Sequence, residues 1–442
     1  MLETLDGGDR VLVFSHDDPD GYGAAGILCR YLENKGVDYR VEFPHRFELT
    51  RSELEITSTD FGEVDLLVVA DKGTFPDYDD LTTVIDPVVV IDHHPYDDSP
   101  NECLLYNPGE ATCAGYQMHQ LLSLVEDYSL DPFDDFLALL ALRSDWIIQP
   151  LRGVIPDSVE PFYRKIKHRW PHLLEPIESR PTWMETNQRK KTLLINQISE
   201  LYFALSGGAF QYFYNDRIPA LSDRDQTRFG YDVLMESIEQ GLEIGEIESL
   251  EEYISAIPES GNVQAVFDEY LRDWDTAIEH LKNTIRLKKI GPVDVYFYVG
   301  ENAPLMPLVG SVQLGTLVEH SEQHRAMMIM VNCKPDSRQD VHVHCSFRSS
   351  GGGTHMGKLA GELASRVVDR YGDREKNSGG GHAPAAEMTI RSEGIEPLGP
   401  IRILMDILDE MSQYAEQAKH GTLSDQDREQ AVNLGLSYLS EQ

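Results

Sequence analysis

The stretch VVVIDHHP, residues 88–95, joins an apolar run to three adjacent polar side chains. The β-branched run predicts a buried strand that ends at Asp92, with His93 and His94 after it. In open α/β sheets, ligands bind just beyond the carboxyl ends of the strands. We therefore expect a metal or phosphate site here, although a single Asp or His is more often structural.

Polar residues follow two earlier strands in the same way. Residues 11–15 are apolar and lead into His16-Asp17-Asp18-Pro19-Asp20-Gly21, and residues 64–70 lead into Asp71. Helical segments alternate with these strands, which is typical of a doubly wound, mostly parallel sheet. We predict an α/β fold for this region. One of its helices spans residues 112–124 and is capped by Thr112.

The length of 442 residues predicts several domains, because single cores seldom exceed about 250–300 residues. We place an α/β domain at residues 1–150, a helical connector at 151–290, a smaller α/β domain at 291–395 and C-terminal helices at 396–442. The connector contains predicted helices at 191–205 and 263–287, and the last predicted helix spans 424–439. Residues 378–382 are predicted to form a glycine loop.

The composition is strongly acidic, with 75 Asp and Glu against 38 Lys and Arg and a formal net charge of −37. Molar salt shortens the screening length to about 3 Å, which suppresses repulsion at such a surface. Our hypothesis is that the protein is halophilic, that is, adapted to a high-salt cytoplasm. The alternative is an ordinary acidic cytosolic protein. Five cysteines without a CxxC pair indicate neither a zinc ribbon nor a disulfide framework. The sequence contains no evident signal peptide or bilayer-spanning run, so we expect a soluble, cytoplasmic protein.

Eight side chains at or near the strand ends carry metal-binding groups: His16, Asp18, Asp20, Asp71, Asp92, His93, His94 and Asp145. Carboxylates mixed with imidazoles suit Mn²⁺, or else Mg²⁺, better than Ca²⁺. Two such ions about 3.5–4 Å apart stabilise an in-line displacement at phosphorus, and Asp71 on a central strand is the natural bridge. We predict phosphoester hydrolysis. A solvated turn at residues 16–20 and a helix cap at Asp145 are the structural alternatives.

The same residues carry a resemblance to a known family. Residues 16–21, then Asp71, then residues 92–94 and finally Asp145 resemble, in order, the four motifs of the DHH phosphoesterase superfamily. The run SGGGHAPAA, residues 378–386, is similar to the signature of its DHHA1 substrate domain. Arg348 matches an arginine that commonly precedes that signature. The resemblance covers about residues 11–146 and 293–390.

The resemblance implies a role for each candidate ligand. For this sequence, it implies that His16 and Asp18 hold one divalent cation and that Asp20, His93 and Asp145 hold the other. Asp71 would bridge the two ions. Asp92 would not bind an ion but would orient the imidazole of a neighbouring histidine. His94 would face the substrate phosphate and would be catalytic together with Asp71 and His93. Other members place the first histidine further upstream or use an aspartate.

The second motif predicts an anion-binding surface. The guanidinium of Arg348 fits phosphate oxygens, and the backbone amides of Gly379, Gly380 and Gly381 suit the same ligand. His382 would donate to a phosphate or stack on a base. A flexible linker is the alternative reading of the three glycines.

These residues lead us to expect a metal-dependent phosphodiesterase acting on single-stranded or short oligonucleotides, similar to an exonuclease or oligoribonuclease. The same motifs leave open a small-nucleotide phosphatase, a cyclic-dinucleotide phosphodiesterase or a non-catalytic replication-associated relative. The last is disfavoured because every metal position is filled. The sequence shows no obvious basic stripe, which argues against processive digestion of long DNA.

Overall fold

The computed structural model of the protein describes residues 2–44, 48–96, 98–184, 191–207, 214, 217–318, 324–333, 341–372, 376–392 and 394–441. The chain divides into two compact units, the first made mainly of residues 1–268 and the second mainly of residues 269–442. The finer domain boundaries expected from the sequence stay a prediction. Within the described residues, no helix is both long and apolar enough to cross a membrane.

A five-stranded parallel sheet forms the centre of the first unit, in the order β2-β1-β3-β4-β5. Its strands are β1 (Arg10–Ser15), β2 (Asp38–Glu42), β3 (Leu66–Ala70), β4 (Val88–Ile91) and β5 (Leu104–Tyr106). Every residue of β3 is buried, as expected for a central parallel strand. The predicted α/β sheet is confirmed. Because the strands run in one direction, the residues after β1, β3 and β4 meet at one edge.

Helices and a small hairpin complete the first unit. They are α1 (Pro19–Lys35), α2 (Arg51–Phe61), α3 (Ala114–Leu122), α4 (Pro132–Ser144), α5 (Glu160–Arg169), α6 (Pro171–Leu174), β6 (Pro176–Glu178), β7 (Lys191–Leu193), α7 (Leu194–Leu205), α8 (Gln226–Glu239) and α9 (Leu250–Ala256). The next helix, α10 (Ser260–Leu281), continues into the second unit. Gly23 lets α1 approach α4 closely, because a Cβ there would lie 3.0 Å from the carbonyl oxygen of Leu137.

The second unit is built on a mixed sheet in the order β12-β13-β11-β10-β9-β8. Its elements are β8 (Ile285–Ile290), β9 (Val293–Glu301), α11 (Met306–Leu317), β10 (Ala326–Cys333), β11 (Val343–Ser350), α12 (Met356–Tyr371), β12 (Asn377–Gly381), β13 (Ala385–Ile390), α13 (Leu398–Lys419) and α14 (Asp425–Asn433). Only β9 and β10 pair in parallel. Helices α12, α13 and α14 form the apolar core with one face of this sheet.

Several element boundaries predicted from the sequence are wrong. Helix α3 begins at Ala114, so Thr112 is not its cap. The helix expected from residue 191 begins after β7, which pairs with β6. The helix expected to reach residue 287 ends at Leu281, since the following residues pair with β9 as strand β8. The last predicted helix ends at Asn433, just before Gly435 adopts a positive φ of 102°.

The predicted glycine loop is also wrong, because most of it is an edge strand. Residues 377–381 form β12, which pairs antiparallel with β13 and packs against α12. A Cβ at Gly379 would lie 2.7 Å from the carbonyl oxygen of Ala360 in that helix. A Cβ at Gly380 would meet no atom within 4 Å. One glycine is thus required by packing, whereas its neighbour faces open space.

This difference predicts opposite outcomes for two similar substitutions. Gly379→Ala should lower the free energy of unfolding by about 1–3 kcal/mol, because the strand or α12 must shift to relieve the overlap. Gly380→Ala is the matched control and should change it by less than about 0.5 kcal/mol. Urea denaturation followed by circular dichroism measures both. Equal effects would contradict the described packing of β12 on α12.

Candidate metal centre

The loop between β1 and α1 places the first ligands by capping the helix. Asp18 is the N-cap residue of α1, and its Oδ1 accepts hydrogen bonds from the amides of Asp20 and Gly21, each at 3.0 Å. Its Oδ2 lies 3.0 Å from His16 Nδ1. Gly21 is required here, since a Cβ would lie 2.2 Å from the carbonyl oxygen of His16. The capping geometry therefore holds His16 and Asp18 side by side.

Asp71 follows β3 and lies between two groups of donors. Its Oδ2 is 3.6 Å from His16 Nδ1, and its Oδ1 is 3.4 Å from His93 Nε2. Its φ is 57°, a left-handed conformation that costs a non-glycine residue roughly 1–2 kcal/mol. The amide of Asp71 donates to the carbonyl of Ile91 at 2.9 Å, which extends the ladder and holds this conformation. The side chain is 2% exposed.

Asp20 is fixed by the N-terminus of α3, which the sequence analysis missed. Its two carboxylate oxygens accept from the amides of Ala114 and Gly115, both at 2.8 Å. A Cβ at Gly115 would lie 2.6 Å from Ala141 and 3.2 Å from Asp20 Oδ1, so a larger residue would push the helix away. The positive end of the helix dipole favours the carboxylate. The small pair Ala114-Gly115 was the available signal.

Asp145 comes from the C-terminus of α4. It is the C-cap residue, and its Oδ2 lies 2.8 Å from His93 Nε2. The loop after it is held by Arg143, which is fully buried, donates from Nε to Asn196 Oδ1 at 2.6 Å and bonds the carbonyl of Ile148. Asp145 is thus both the helix cap that one reading expected and a member of the cluster.

Asp92 is not one of the predicted ligands, but it contacts the neighbouring His94 and helps to position it. Its carboxylate lies 2.8 Å from His94 Nδ1 and accepts from Thr74 Oγ1 at 2.7 Å and Asn107 Nδ2 at 3.1 Å. Asn107 also donates to the carbonyl of His94, and Gln117 donates to that of Asp92. None of Thr74, Asn107 and Gln117 was predicted from the sequence. Thr74 follows Asp71 by three residues, but an isolated Thr or Asn carries little signal.

The predicted ligands assemble into overlapping clusters. The groups that could hold a metal ion are His16, Asp18 and Asp71; Asp20, His93 and Asp145; and Asp71, His93 and His94. Within each group, the donor atoms lie within 4.8 Å of one another. The structure therefore brings together every residue predicted to be a metal ligand.

The electrostatics of the clusters follow from crowded, buried carboxylates. Burial and the neighbouring carboxylates of Asp71 and Asp145 raise the pKa of Asp20 well above its usual range. Burial opposes charge on His93, but Asp145 and Asp71 outweigh it and raise the histidine's pKa well above its usual value. The pKa of His16 is raised in the same way by Asp18 and Asp71. Protons therefore compensate part of the negative charge.

The donor set fits divalent cations better than protons alone. Oδ1 of Asp71 is buried and forms no hydrogen bond with a described residue. Burial disfavours its charge, yet contacts with His16 and His93 hold the pKa of Asp71 below its usual range, so it remains a carboxylate. The protonated ring of His93, at 3.4 Å, offsets part of this charge, but His93 must lose its proton to ligate a cation. A cation beside Asp71 would then replace that positive charge.

Residues of the predicted second site lie in the second unit and have partners there. Arg348 is 7% exposed, and its Nη1 lies 2.7 Å from Glu387 Oε1 while Nε donates to the carbonyl of Pro307. His344 and Ser346, on the same strand β11, also reach Glu387, at 2.8 and 2.6 Å. The geometry assigns Arg348 first to holding Glu387. Its binding of substrate stays a prediction.

The predicted binding role of the glycine segment also stays a prediction. Gly379 and Gly381 lie in β12, where Gly381 has a φ of 135°, and Gly380 is exposed between them. His382 follows the strand, is partly exposed, and donates from its amide to the carbonyl of Ala385 at 2.8 Å. The backbone near His382 is thus fixed by strand pairing.

Comparison with known proteins identifies the first unit. Residues 10–142 match the DHH family, N-terminal domain. Residues 10–142 therefore form a DHH domain, and this is the part of the chain that belongs to the DHH superfamily. The chain has no match among curated protein sequences. The predicted resemblance is confirmed at the level of the superfamily.

Solved structures resemble this DHH protein in fold. A crystal structure of exonuclease RecJ bound to manganese has a TM-score of 0.51 and 16% identity, over 93% of this chain and 91% of that one. The DHH domain of a member of the s1p family of ribosomal proteins has a TM-score of 0.51 and 14% identity, and the match covers 91% of this chain and 87% of that one. RecJ from Thermus thermophilus in complex with Mn²⁺ has a TM-score of 0.49 and 16% identity, and the match covers 90% of this chain and 52% of that one. At these identities the likeness concerns the fold alone.

The raised histidine pKa values predict that metal binding releases protons. Below its raised pKa, His93 is protonated, and it must lose that proton to ligate a cation, so Mn²⁺ affinity should increase with pH. Isothermal titration calorimetry in two buffers of different ionisation enthalpy measures the released protons. His93→Gln should reduce their number, whereas exposed His168→Gln should not. Identical apparent enthalpies in the two buffers would contradict the protonated histidines.

The contacts of Arg348 predict a stability effect. Arg348→Gln leaves Glu387 without its guanidinium partner and should lower the free energy of unfolding by about 1–3 kcal/mol. The double variant with Glu387→Gln should recover part of that loss, because the uncompensated charge is then absent. Thermal denaturation of the three proteins measures this. An unchanged stability would contradict the structural role and leave phosphate binding as the better assignment.

Proposed function

We propose that this DHH protein is a metal-dependent phosphodiesterase that cleaves single-stranded or short oligonucleotides. The observation that carries the proposal is the set of three overlapping ligand clusters at one sheet edge, two of which contain Asp71. His16 and Asp18 would hold one divalent cation and Asp20, His93 and Asp145 the other, with Mn²⁺ favoured over Mg²⁺. When bound, the two ions activate a water and stabilise the oxygens of an in-line displacement at phosphorus.

The remaining chemistry rests on ligands that are held before substrate arrives. Backbone amides fix the carboxylates of Asp18 and Asp20, and Asp145 is fixed by its position at the end of α4. Groups fixed in this way need little reorganisation during the reaction. Each carboxylate can therefore remain in place while the charge at phosphorus develops.

We assign His94 to the substrate phosphate. Its side chain is 24% exposed, whereas that of His93 is 3% exposed. Nδ1 of His94 lies 2.8 Å from Asp92 Oδ1, and this contact orients the ring. The other edge of the ring would then face an oxygen of the substrate phosphate. Thr74 and Asn107 keep Asp92 in position for this task.

The fold comparison supports a nucleic-acid substrate. The described fold covers 91% of a solved RecJ chain whose name states that it is an exonuclease and that manganese is bound. We extend that activity class, without its polarity, to this chain. We further propose a cytoplasmic enzyme whose acidic surface requires high salt, which makes KCl a necessary variable in any assay.

The bridging position predicts a large effect for one substitution. Asp71→Asn removes the carboxylate that belongs to two of the three clusters. It should lower kcat/KM at least about 100-fold, which exceeds the usual effect of replacing a residue that only orients a ligand. The assay uses Mn²⁺ at low and high KCl with end-labelled two- to five-mers. Long single strands, adenosine 3′,5′-bisphosphate and a cyclic dinucleotide serve as competing substrate classes.

Exposed Asp127→Asn is the matched control for the loss of one carboxylate. It should retain full activity. Turnover of Asp71→Asn close to that of the control would refute the bridge. Preference for the bisphosphate or the cyclic dinucleotide would refute the oligonucleotide substrate while leaving the metal centre intact.

A further inference from the structure

Trp146 occupies an unusual position next to the metal centre. It directly follows Asp145, so its Cα lies about 3.8 Å from that of a predicted ligand. Its φ is 59°, a left-handed conformation that bulky residues rarely adopt. The amide of Trp146 donates to the carbonyl of Arg143 at 3.2 Å, and Gln149 donates to the carbonyl of Trp146 at 3.4 Å. These contacts hold the backbone of Trp146 in this conformation at a free-energy cost.

Trp146 belongs to a short aromatic stack in the first unit. Its ring stacks on that of Trp183 with a centroid distance of 6.3 Å and an interplanar angle of 26°. Trp183 in turn contacts Phe203 at 4.9 Å. Phe203 is 6% exposed and anchors the stack on α7, whereas both tryptophans stay partly exposed. Trp183 Nε1 has no acceptor among the residues that the structure describes.

The other two tryptophans show what an ordinary packing role looks like. Trp170 is 5% exposed and Trp274 is 3% exposed. Packing alone would favour the same burial for Trp146 and Trp183, and it gives no reason for a strained backbone at Trp146. Strained residues persist mainly at functional sites. A flat aromatic surface beside a phosphodiester-cleaving centre is a platform on which a base can stack.

We propose that Trp146 and Trp183 form a nucleobase-binding subsite for the nucleotide adjoining the scissile phosphate. This inference rests on the proposed function and deepens it, since it requires a base-bearing substrate. Stacking is tolerant of base identity because every base has an aromatic face. The subsite would therefore favour nucleotide chains over base-free phosphoesters, without reading a sequence.

The test compares a pentanucleotide with versions that are abasic at the first or the last nucleotide. Wild-type protein with Mn²⁺ should show a KM increase on the order of 10-fold to 100-fold for the version lacking the stacked base. Trp146→Leu should raise the KM of the intact pentamer to a similar level and change that of the abasic version little. Trp146→Phe should restore most of the affinity, because it keeps a ring.

Two measurements separate this outcome from misfolding. Trp183→Leu should give the same pattern as Trp146→Leu, and Mn²⁺ binding by calorimetry should be unchanged in both. Tyr163→Leu, at a partly exposed tyrosine on α5, is the control and should leave KM unchanged. Equal KM values of Trp146→Leu and wild type for the intact pentamer would overturn the subsite.

Failure of the proposed function gives a different result. Wild-type protein that cleaves no oligonucleotide would overturn the nuclease assignment. Binding then tests the subsite, because the tryptophan fluorescence of wild-type protein with Mn²⁺ should be quenched by the intact pentamer and much less by the abasic one. Equal quenching by the two, or none, would overturn the subsite whatever the activity.

Discussion

Repulsion among buried carboxylates is the constraint on which the first unit depends. Parallel strand order brings the residues after β1, β3 and β4 to one edge, and α4 adds Asp145. Backbone amides at the starts of α1 and α3 bond Asp18 and Asp20, and two histidines offset more of the charge. Asp71 keeps a buried oxygen without a hydrogen-bond donor in the described structure. Helix ends and imidazoles therefore reduce the repulsion, and cations would complete the balance.

The strand ends could be predicted from the sequence because burial and chain direction are both local signals. A β-branched run that stops at Asp92 or Asp71 indicates a parallel strand and the position of its end. Contacts between distant segments gave no such signal. The amides of Ala114 and Gly115 reach Asp20 across more than ninety residues. The small side chains of this pair indicate a close approach, but they do not specify which residue their amides contact, because that depends on how α3 packs.

The second unit shows how composition can mislead. Three consecutive glycines suggest a loop, yet pairing with β13 makes them a strand, and Gly379 fills a place where α12 leaves no room for a side chain. For these glycines a partner strand decides the conformation, and strand pairing is the least local property of a sequence. Strand pairing also brings Glu387 to the guanidinium of Arg348, a contact that the sequence did not reveal. The phosphate-binding role of Arg348 stays a prediction.

Two non-glycine residues with left-handed backbones adjoin the metal centre, Asp71 and Trp146. Each conformation costs roughly 1–2 kcal/mol, so the surroundings must over-determine it. Asp71 is held by the ladder of β3 and β4, and the loop of Trp146 is held by buried Arg143. A relaxed backbone at Asp71 would move its carboxylate out of the ligand clusters, and a relaxed backbone at Trp146 would alter the chain directly after Asp145. Backbone strain at both residues is therefore consistent with one functional requirement, the proposed binding of a phosphate together with its base.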